Sequence, residues 1–136
     1  MIAITKAIRF CASHRYWCPE WSEEENRARF GKCVNIHGHN YRLEVTLCGE
    51  PDPVTGMIID LKQVKNTLCD EVIERFDHQY LNEAIPHFRQ HVPTTENLVA
   101  YLHEQLRDAF PGTRLSRIRL WEDIDLYAEW EADEPC

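Results

Sequence analysis

The sequence lacks an apolar run long enough to span a membrane, and its N-terminus lacks the charged-then-apolar layout of a secretory signal. It has no excess of basic charge. The 15 Lys and Arg residues stand against 23 Asp and Glu, a net charge of −8. That balance argues against a nucleic-acid surface, but a phosphorylated small substrate needs only a local basic pocket. No internal repeat, low-complexity tract or Pro/Gly-rich linker interrupts the chain, so residues 1–136 are expected to form one domain with a sizeable core. A CxxC pair is also missing. The six cysteines are scattered at Cys11, Cys18, Cys33, Cys48, Cys69 and Cys136. With no secretory segment, they are expected to be reduced thiols in a cytoplasm.

What is present centres on Cys33-Val34-Asn35-Ile36-His37-Gly38-His39-Asn40-Tyr41. Two histidines two apart share a face only on an extended strand. Tyr41, Leu43, Val45 and Leu47 continue the parity of His37 and His39, while Arg42, Glu44 and Thr46 take the other face. Two imidazoles on the apolar side of a strand need a partner, and a metal ion is the usual one, with zinc well suited to imidazole. Gly38 lets another backbone or a ligand approach closely. A second strand carries Ile2, Ile4, Ile8, Phe10 and Ala12 on one parity, and His14 continues it. Alone, His14 reads as a hydrogen-bonded histidine at a strand end. Beside the His37/His39 pair it becomes a third ligand, and three imidazoles with an open fourth position is the catalytic arrangement for zinc.

The remaining elements follow from local signals. Ser22 with Glu25 fits a capping box for a short helix that Gly31 ends. Asp60 is a good N-cap for a helix with Leu61, Val64, Leu68, Val72 and Phe76 on one stripe, and Cys69 lies beside that stripe. That helix runs into Asp77-His78, which reads either as a carboxylate–imidazole pair or as a histidine at the helix C-terminus. Residues 84–92 read as a loop in which His87 and His91 have no role. Pro93-Thr94-Thr95-Glu96 opens a second helix with Leu98, Leu102, Leu106 and Ala109 inward and His103 at the surface. Ile118, Leu120 and Glu122 share a strand parity, which puts a carboxylate on the apolar side at a strand end. Leu126 to Trp130 reads as the last strand. The order predicts an α+β fold with four antiparallel strands and two helices on one face.

Phe10-Cys11-Ala12-Ser13-His14-Arg15, Glu24-Glu25-Asn26, Phe30-Gly31-Lys32-Cys33, His37-Gly38-His39-Asn40-Tyr41, Asp52-Pro53-Val54-Thr55-Gly56-Met57, Asp77-His78-Gln79-Tyr80-Leu81-Asn82 and Pro93-Thr94-Thr95-Glu96-Asn97 occur in that order. Over about residues 5–130 the chain resembles the 6-pyruvoyl-tetrahydropterin synthase/6-carboxytetrahydropterin synthase family. The resemblance implies the tunnelling fold, in which three subunits join their sheets into a barrel and two trimers stack into a homohexamer with active sites at subunit interfaces. It implies zinc on His14, His37 and His39. It also implies Cys33 as the catalytic cysteine, His78 with Asp77 as the charge relay, and Glu122 as the anchor of the pterin ring. Thr94, Thr95 and Glu96 match the segment lining the pterin pocket. The substrate implied is 7,8-dihydroneopterin triphosphate.

Two reactions fit that resemblance. A retro-aldol cleavage of the side chain gives 6-carboxytetrahydropterin, on the route to queuosine and other deazapurines. Loss of triphosphate with internal redox transfer gives 6-pyruvoyl-tetrahydropterin. The three residues between Cys33 and His37 resemble the carboxytetrahydropterin enzymes, whereas animal pyruvoyl synthases resemble a pattern with five. The Glu24-to-Cys33 and Asp52-to-Met57 segments look more like the pyruvoyl branch, and Glu122-Asp123 departs from the common Glu-Thr. The carboxytetrahydropterin reaction is the preferred expectation, because the spacing places the base that both chemistries use. A non-catalytic pterin-binding protein is the reading from a different class. A zinc hydrolase on three histidines would need neither Cys33 nor Glu122.

Overall fold

The computed structural model describes residues 1–134 and 136. Two long strands, β1 (Ile2–His14) and β2 (His37–Gly49), pair antiparallel along their full length, with Ile2 opposite Gly49 and His14 opposite His37. β4 (Arg114–Asp123) pairs antiparallel with the other side of β2, and β5 (Leu126–Glu131) with β4. These are the four antiparallel strands expected. A fifth strand, the two-residue β3 (Gln79–Tyr80), adds parallel to β1 at Ala12 and Ser13, giving the sheet order β3-β1-β2-β4-β5. A strand of two residues has no readable period, which is why only the fold reveals it.

One face of the sheet carries the core. Phe10, Ala12, Tyr41, Leu43, Val45, Leu47, Ile118 and Leu120 are buried there, on the parities expected. The layer above them is helical. In α1 (Glu23–Phe30), the Ser22 side chain accepts from the Glu25 N–H, and the left-handed Gly31 (φ 59°) closes the helix by donating to the Arg27 carbonyl. In α2 (Leu61–Leu68), the Asp60 carboxylate caps the Lys62 N–H at 2.9 Å. A π-helical turn (Cys69–Ile73) and α3 (Glu74–Phe76) continue it. The apolar stripe Val64, Leu68, Val72, Phe76 repeats every four residues, and on a regular α-helix it would drift about 40° per step. The wider π turn cancels much of that drift, so all four remain buried. Leu61, first in the expected stripe, is exposed instead.

After α4 (Leu81–Ala84), a short 3₁₀ helix (Pro86–Arg89) occupies part of the expected loop at 84–92, and Ile85 and Phe88 anchor that segment in the core. α5 (Thr95–Leu106) buries Leu98, Leu102 and Leu106. His103 is not a surface residue as expected: its ring stacks on Trp130 of β5 with centroids 3.9 Å apart.

The cysteines require a correction. Cys48, buried at the far end of β2, is disulfide-bonded to Cys136, with Cα atoms 5.7 Å apart. Chain after β5 keeps running beside β4. The Ala132 N–H donates to the Ser116 carbonyl at 2.9 Å, and Arg114 donates to the Glu134 carbonyl at 2.9 Å. Arg114 is the register partner of Cys48, so the tail delivers Cys136 to it. A separation of 88 residues leaves no spacing signal for such a pair. Cys11, Cys18, Cys33 and Cys69 are free thiols, as expected.

Candidate functional site

The site is built where β1 ends, β2 begins and β4 ends. The β1–β2 register sets His14 opposite His37 and Ala12 opposite His39. Parity turns all three imidazoles toward the core face, with ring centroids 4.7 Å (His14–His37), 5.1 Å (His14–His39) and 5.1 Å (His37–His39) apart. One ring nitrogen from each lies within 4.8 Å of the others. Gly38 faces Ser13, and a Cβ there would stand 3.3 Å from the Ala12 carbonyl oxygen, so the close approach expected at this glycine is to the neighbouring strand.

Hydrogen bonds select the tautomers. His14 Nδ1 is 2.8 Å from the Pro93 carbonyl and His37 Nδ1 is 2.7 Å from the Asn35 carbonyl, so each Nδ1–H donates and each Nε2 keeps its lone pair. His14 is fully buried, and loss of solvation pushes its pKa down to about 4 against the opposing Pro93 contact, leaving it neutral at pH 7. His14 Nε2 and His39 Nε2 are buried with no hydrogen-bond partner among the described residues. Buried ring nitrogens are rarely orphaned. Three converging imidazoles, two of them with a buried nitrogen that has no partner, fit a zinc ion with an open coordination position.

Glu122 reaches the same spot. β4 and β5 shift register between Trp121 and Asp123, and Glu122 is the residue left out of the pairing. Its parity with Ile118 and Leu120 turns its carboxylate to the core face, with Oε1 3.4 Å from His39 Nε2 but outside hydrogen-bonding geometry. Its Oε2 accepts a short hydrogen bond from the Thr95 hydroxyl. Thr94 caps α5 through the Asn97 N–H, Thr95 is buried, and Glu96 lies in the exposed first turn.

Cys33 lies in a 3₁₀ turn (Gly31–Val34) that follows α1 directly. Its carbonyl accepts from the Tyr16 N–H at 2.8 Å. Tyr16 is the residue that sequence reasoning missed. Its ring meets His14 edge-on at 5.4 Å, lies 6.4 Å from His37 and packs against Phe30 at 5.8 Å. Burial, followed by the acidic groups of Glu122, Cys33 and Glu96 around it, pushes its pKa up. The available signal was parity, because Tyr16 continues the Phe10, Ala12, His14 series. Tyr41, fully buried below, places its hydroxyl 3.3 Å from His14 Nδ1.

Asp77 and His78 form a pair at a different place. Asp77 ends the helix in an extended conformation and His78 takes a left-handed φ of 58°, which brings His78 Nδ1 to 2.9 Å from Asp77 Oδ2. This helix-end geometry is what lets sequence neighbours meet. Asp77 Oδ1 accepts from the Cys11 N–H at 2.9 Å, and that bond, then His78, holds the carboxyl below its usual pKa. The His78 side chain is 80% exposed. Among the described residues no hydrogen bond or ion pair joins this pair to Cys33. The 340 Å³ cavity lined by Arg9, Asn40, Tyr41, Arg42, Trp121, Asp123 and Ile124 contains none of the three imidazoles.

The family model described as 6-pyruvoyl tetrahydropterin synthase matches residues 3–133. The chain is 38% identical to the human 6-pyruvoyl tetrahydrobiopterin synthase over 121 residues, covering 88% of this chain and 83% of that protein. It is 35% identical to the putative 6-carboxy-5,6,7,8-tetrahydropterin synthase of Archaeoglobus fulgidus over 98 residues, covering 72% and 77%. The solved structure of Caenorhabditis elegans 6-pyruvoyl tetrahydropterin synthase superposes with a TM-score of 0.88 at 31% identity, covering 97% of this chain and 96% of that one.

Proposed function

The chain belongs to the 6-pyruvoyl tetrahydropterin synthase family, and from that premise we propose that it is a zinc-dependent 6-carboxy-5,6,7,8-tetrahydropterin synthase acting on 7,8-dihydroneopterin triphosphate. The observation that carries this reading is the pair of buried, unpartnered imidazole nitrogens of His14 and His39, framed by His37, Glu122 and the Cys33 turn. His14, His37 and His39 would hold the metal, which when bound supplies Lewis acidity to the hydroxyls of the substrate side chain.

The chain's own groups divide the remaining work. Glu122 offers its carboxylate to ring N–H groups of the pterin, and the Thr95 hydroxyl on Oε2 fixes its orientation. Thr94 and Glu96 flank it at the start of α5. Cys33 is the proton acceptor for the side chain, and His78, oriented by Asp77, relays the proton. Because no hydrogen bond or ion pair among the described residues joins the Asp77–His78 pair to Cys33 of its own chain, it serves Cys33 of a neighbouring subunit in this reading. Such a neighbour can pair with the open edges of the sheet, the outer side of β5 and the stretch of β1 before β3. The homohexamer of two stacked trimers is part of the same proposal.

The link between Cys33 and His37 favours the carboxy product. Its three residues give the spacing that resembles the carboxytetrahydropterin enzymes and places the base that both chemistries use. The second reading, a 6-pyruvoyl-tetrahydropterin synthase, is favoured by the higher identity to the human pyruvoyl enzyme than to the archaeal carboxy protein. Mass spectrometry of the products from zinc-loaded protein and dihydroneopterin triphosphate decides between them. Acetaldehyde with 6-carboxytetrahydropterin supports the proposal, and a 6-pyruvoyl product replaces it with the second reading. Pterin binding without turnover would leave a binding protein.

A further inference from the structure

We infer that Tyr16 is a substrate-contacting residue that confers specificity for a hydroxylated side chain: its ring walls the three-histidine cluster, and its hydroxyl donates a hydrogen bond to a side-chain oxygen of the bound pterin. The inference rests on the pterin reading above and adds a residue to it.

Three observations support it. First, the ring is sandwiched between the site and the chain that carries Cys33, edge-on to His14 at 5.4 Å on one side and to Phe30 at 5.8 Å on the other. Second, the backbone on both sides of Tyr16 is held by hydrogen bonds. Arg15 N–H and carbonyl are both bonded to the Asn82 amide at 2.9 Å, and Tyr16 N–H is bonded to the Cys33 carbonyl at 2.8 Å. Asn26, fully buried, accepts from Cys18 N–H at 2.7 Å and donates to the carbonyls of Cys18, Trp21 and Ser22. A loop pinned from both sides presents its side chain without an ordering cost on binding. Third, the Tyr16 hydroxyl has no hydrogen bond among the described residues, although the ring is half-buried. A phenol hydroxyl carries one O–H donor. The hydroxyl is not among the buried unpartnered atoms, so it is open to solvent and to a ligand.

The test is a ligand-by-mutant comparison that needs no turnover. Zinc-loaded wild type and Tyr16→Phe are titrated with 7,8-dihydroneopterin, which carries side-chain hydroxyls, and with 6-methyl-7,8-dihydropterin, which does not, and affinity is read by pterin fluorescence. Tyr16→Phe keeps the ring and removes only the hydroxyl. The expected result is a roughly fivefold to tenfold loss of affinity for dihydroneopterin, the weight of one hydrogen bond, with the methyl ligand, zinc content and melting midpoint unchanged. An equal loss for both ligands, or none for either, overturns the inference while leaving the pterin reading intact. Wild type that prefers neither ligand has the same consequence. Wild type that binds no pterin overturns the pterin reading, and the role of Tyr16 with it.

Discussion

If His14, His37 and His39 hold zinc as proposed, replacing His37 by Ala should remove most of the thermal stabilisation that zinc provides. His37 is the right ligand to remove because its ring is half-buried, so its loss disturbs the core less than loss of the fully buried His14. A ligand that binds only the folded state at a free concentration of one hundred times its Kd stabilises by about 2.7 kcal/mol. Unfolding entropy near the midpoint is about 2.1 cal/mol/K per residue, or about 0.3 kcal/mol/K for a chain of this length. Zinc should therefore raise the midpoint of the metal-free wild type by about 9 °C. Two imidazoles in place of three should weaken binding on the order of 100-fold, so the same free zinc would only equal the new Kd. The stabilisation then falls to about 0.4 kcal/mol, a shift of about 1–2 °C. Protons compete for the same lone pairs, so the wild-type shift should shrink on acidification. Differential scanning fluorimetry of chelator-stripped protein with and without buffered zinc measures both. A wild type indifferent to zinc, or a shift of wild-type size in His37→Ala, would refute the assignment of the three-histidine cluster as a metal site.

Other consequences follow from particular groups. In the metal-free protein, His14 titrates at about 4 when folded against 6.5 as a free side chain, so the unfolded state binds more protons between those values and stability rises with pH there. Going from pH 7 to 4.5 should cost about 2–3 kcal/mol from this residue, read from urea midpoints in chelator; an equal pH dependence in His14→Asn would contradict the attribution. Cys33→Ser should lower turnover at least 100-fold while zinc and pterin affinities stay within a factor of two, and retained turnover would exclude Cys33 as the proton acceptor. Reduction, or Cys136→Ser, should cost roughly 2–4 kcal/mol by freeing the loop closed between Cys48 and Cys136. Equal melting midpoints with and without reductant would show that the bond adds nothing in solution.

Much of the scaffold was legible from local patterns, because those patterns act locally. Ser22, Asp60 and Thr94 cap helices in the structure as their side-chain chemistry implies. The period-2 alternation of Phe10, Ala12, His14 and of His39, Tyr41, Leu43 turned each set to the core face. Where reading failed, the missing information was non-local. A tail that ends beside β2 needs the whole sheet before Cys48 and Cys136 can meet. His103 is packed because β5 brings Trp130 over α5, and Ile85 and Phe88 order a polar-looking loop by reaching the core.

The sequence by itself determined which side of its strand each histidine takes, and the family to which the chain belongs, because parity and ordered motifs reside in the linear order of residues. Only the tertiary structure decided that these side chains form one site. Strand register set His14 opposite His37 and brought the Glu122 carboxylate to 3.4 Å from His39, and a left-handed His78 closed onto Asp77. The fold also brought Tyr16 against the imidazoles. Parity repeats every two residues and survives any pairing, whereas register, bulges and loop docking depend on contacts between residues tens of positions apart.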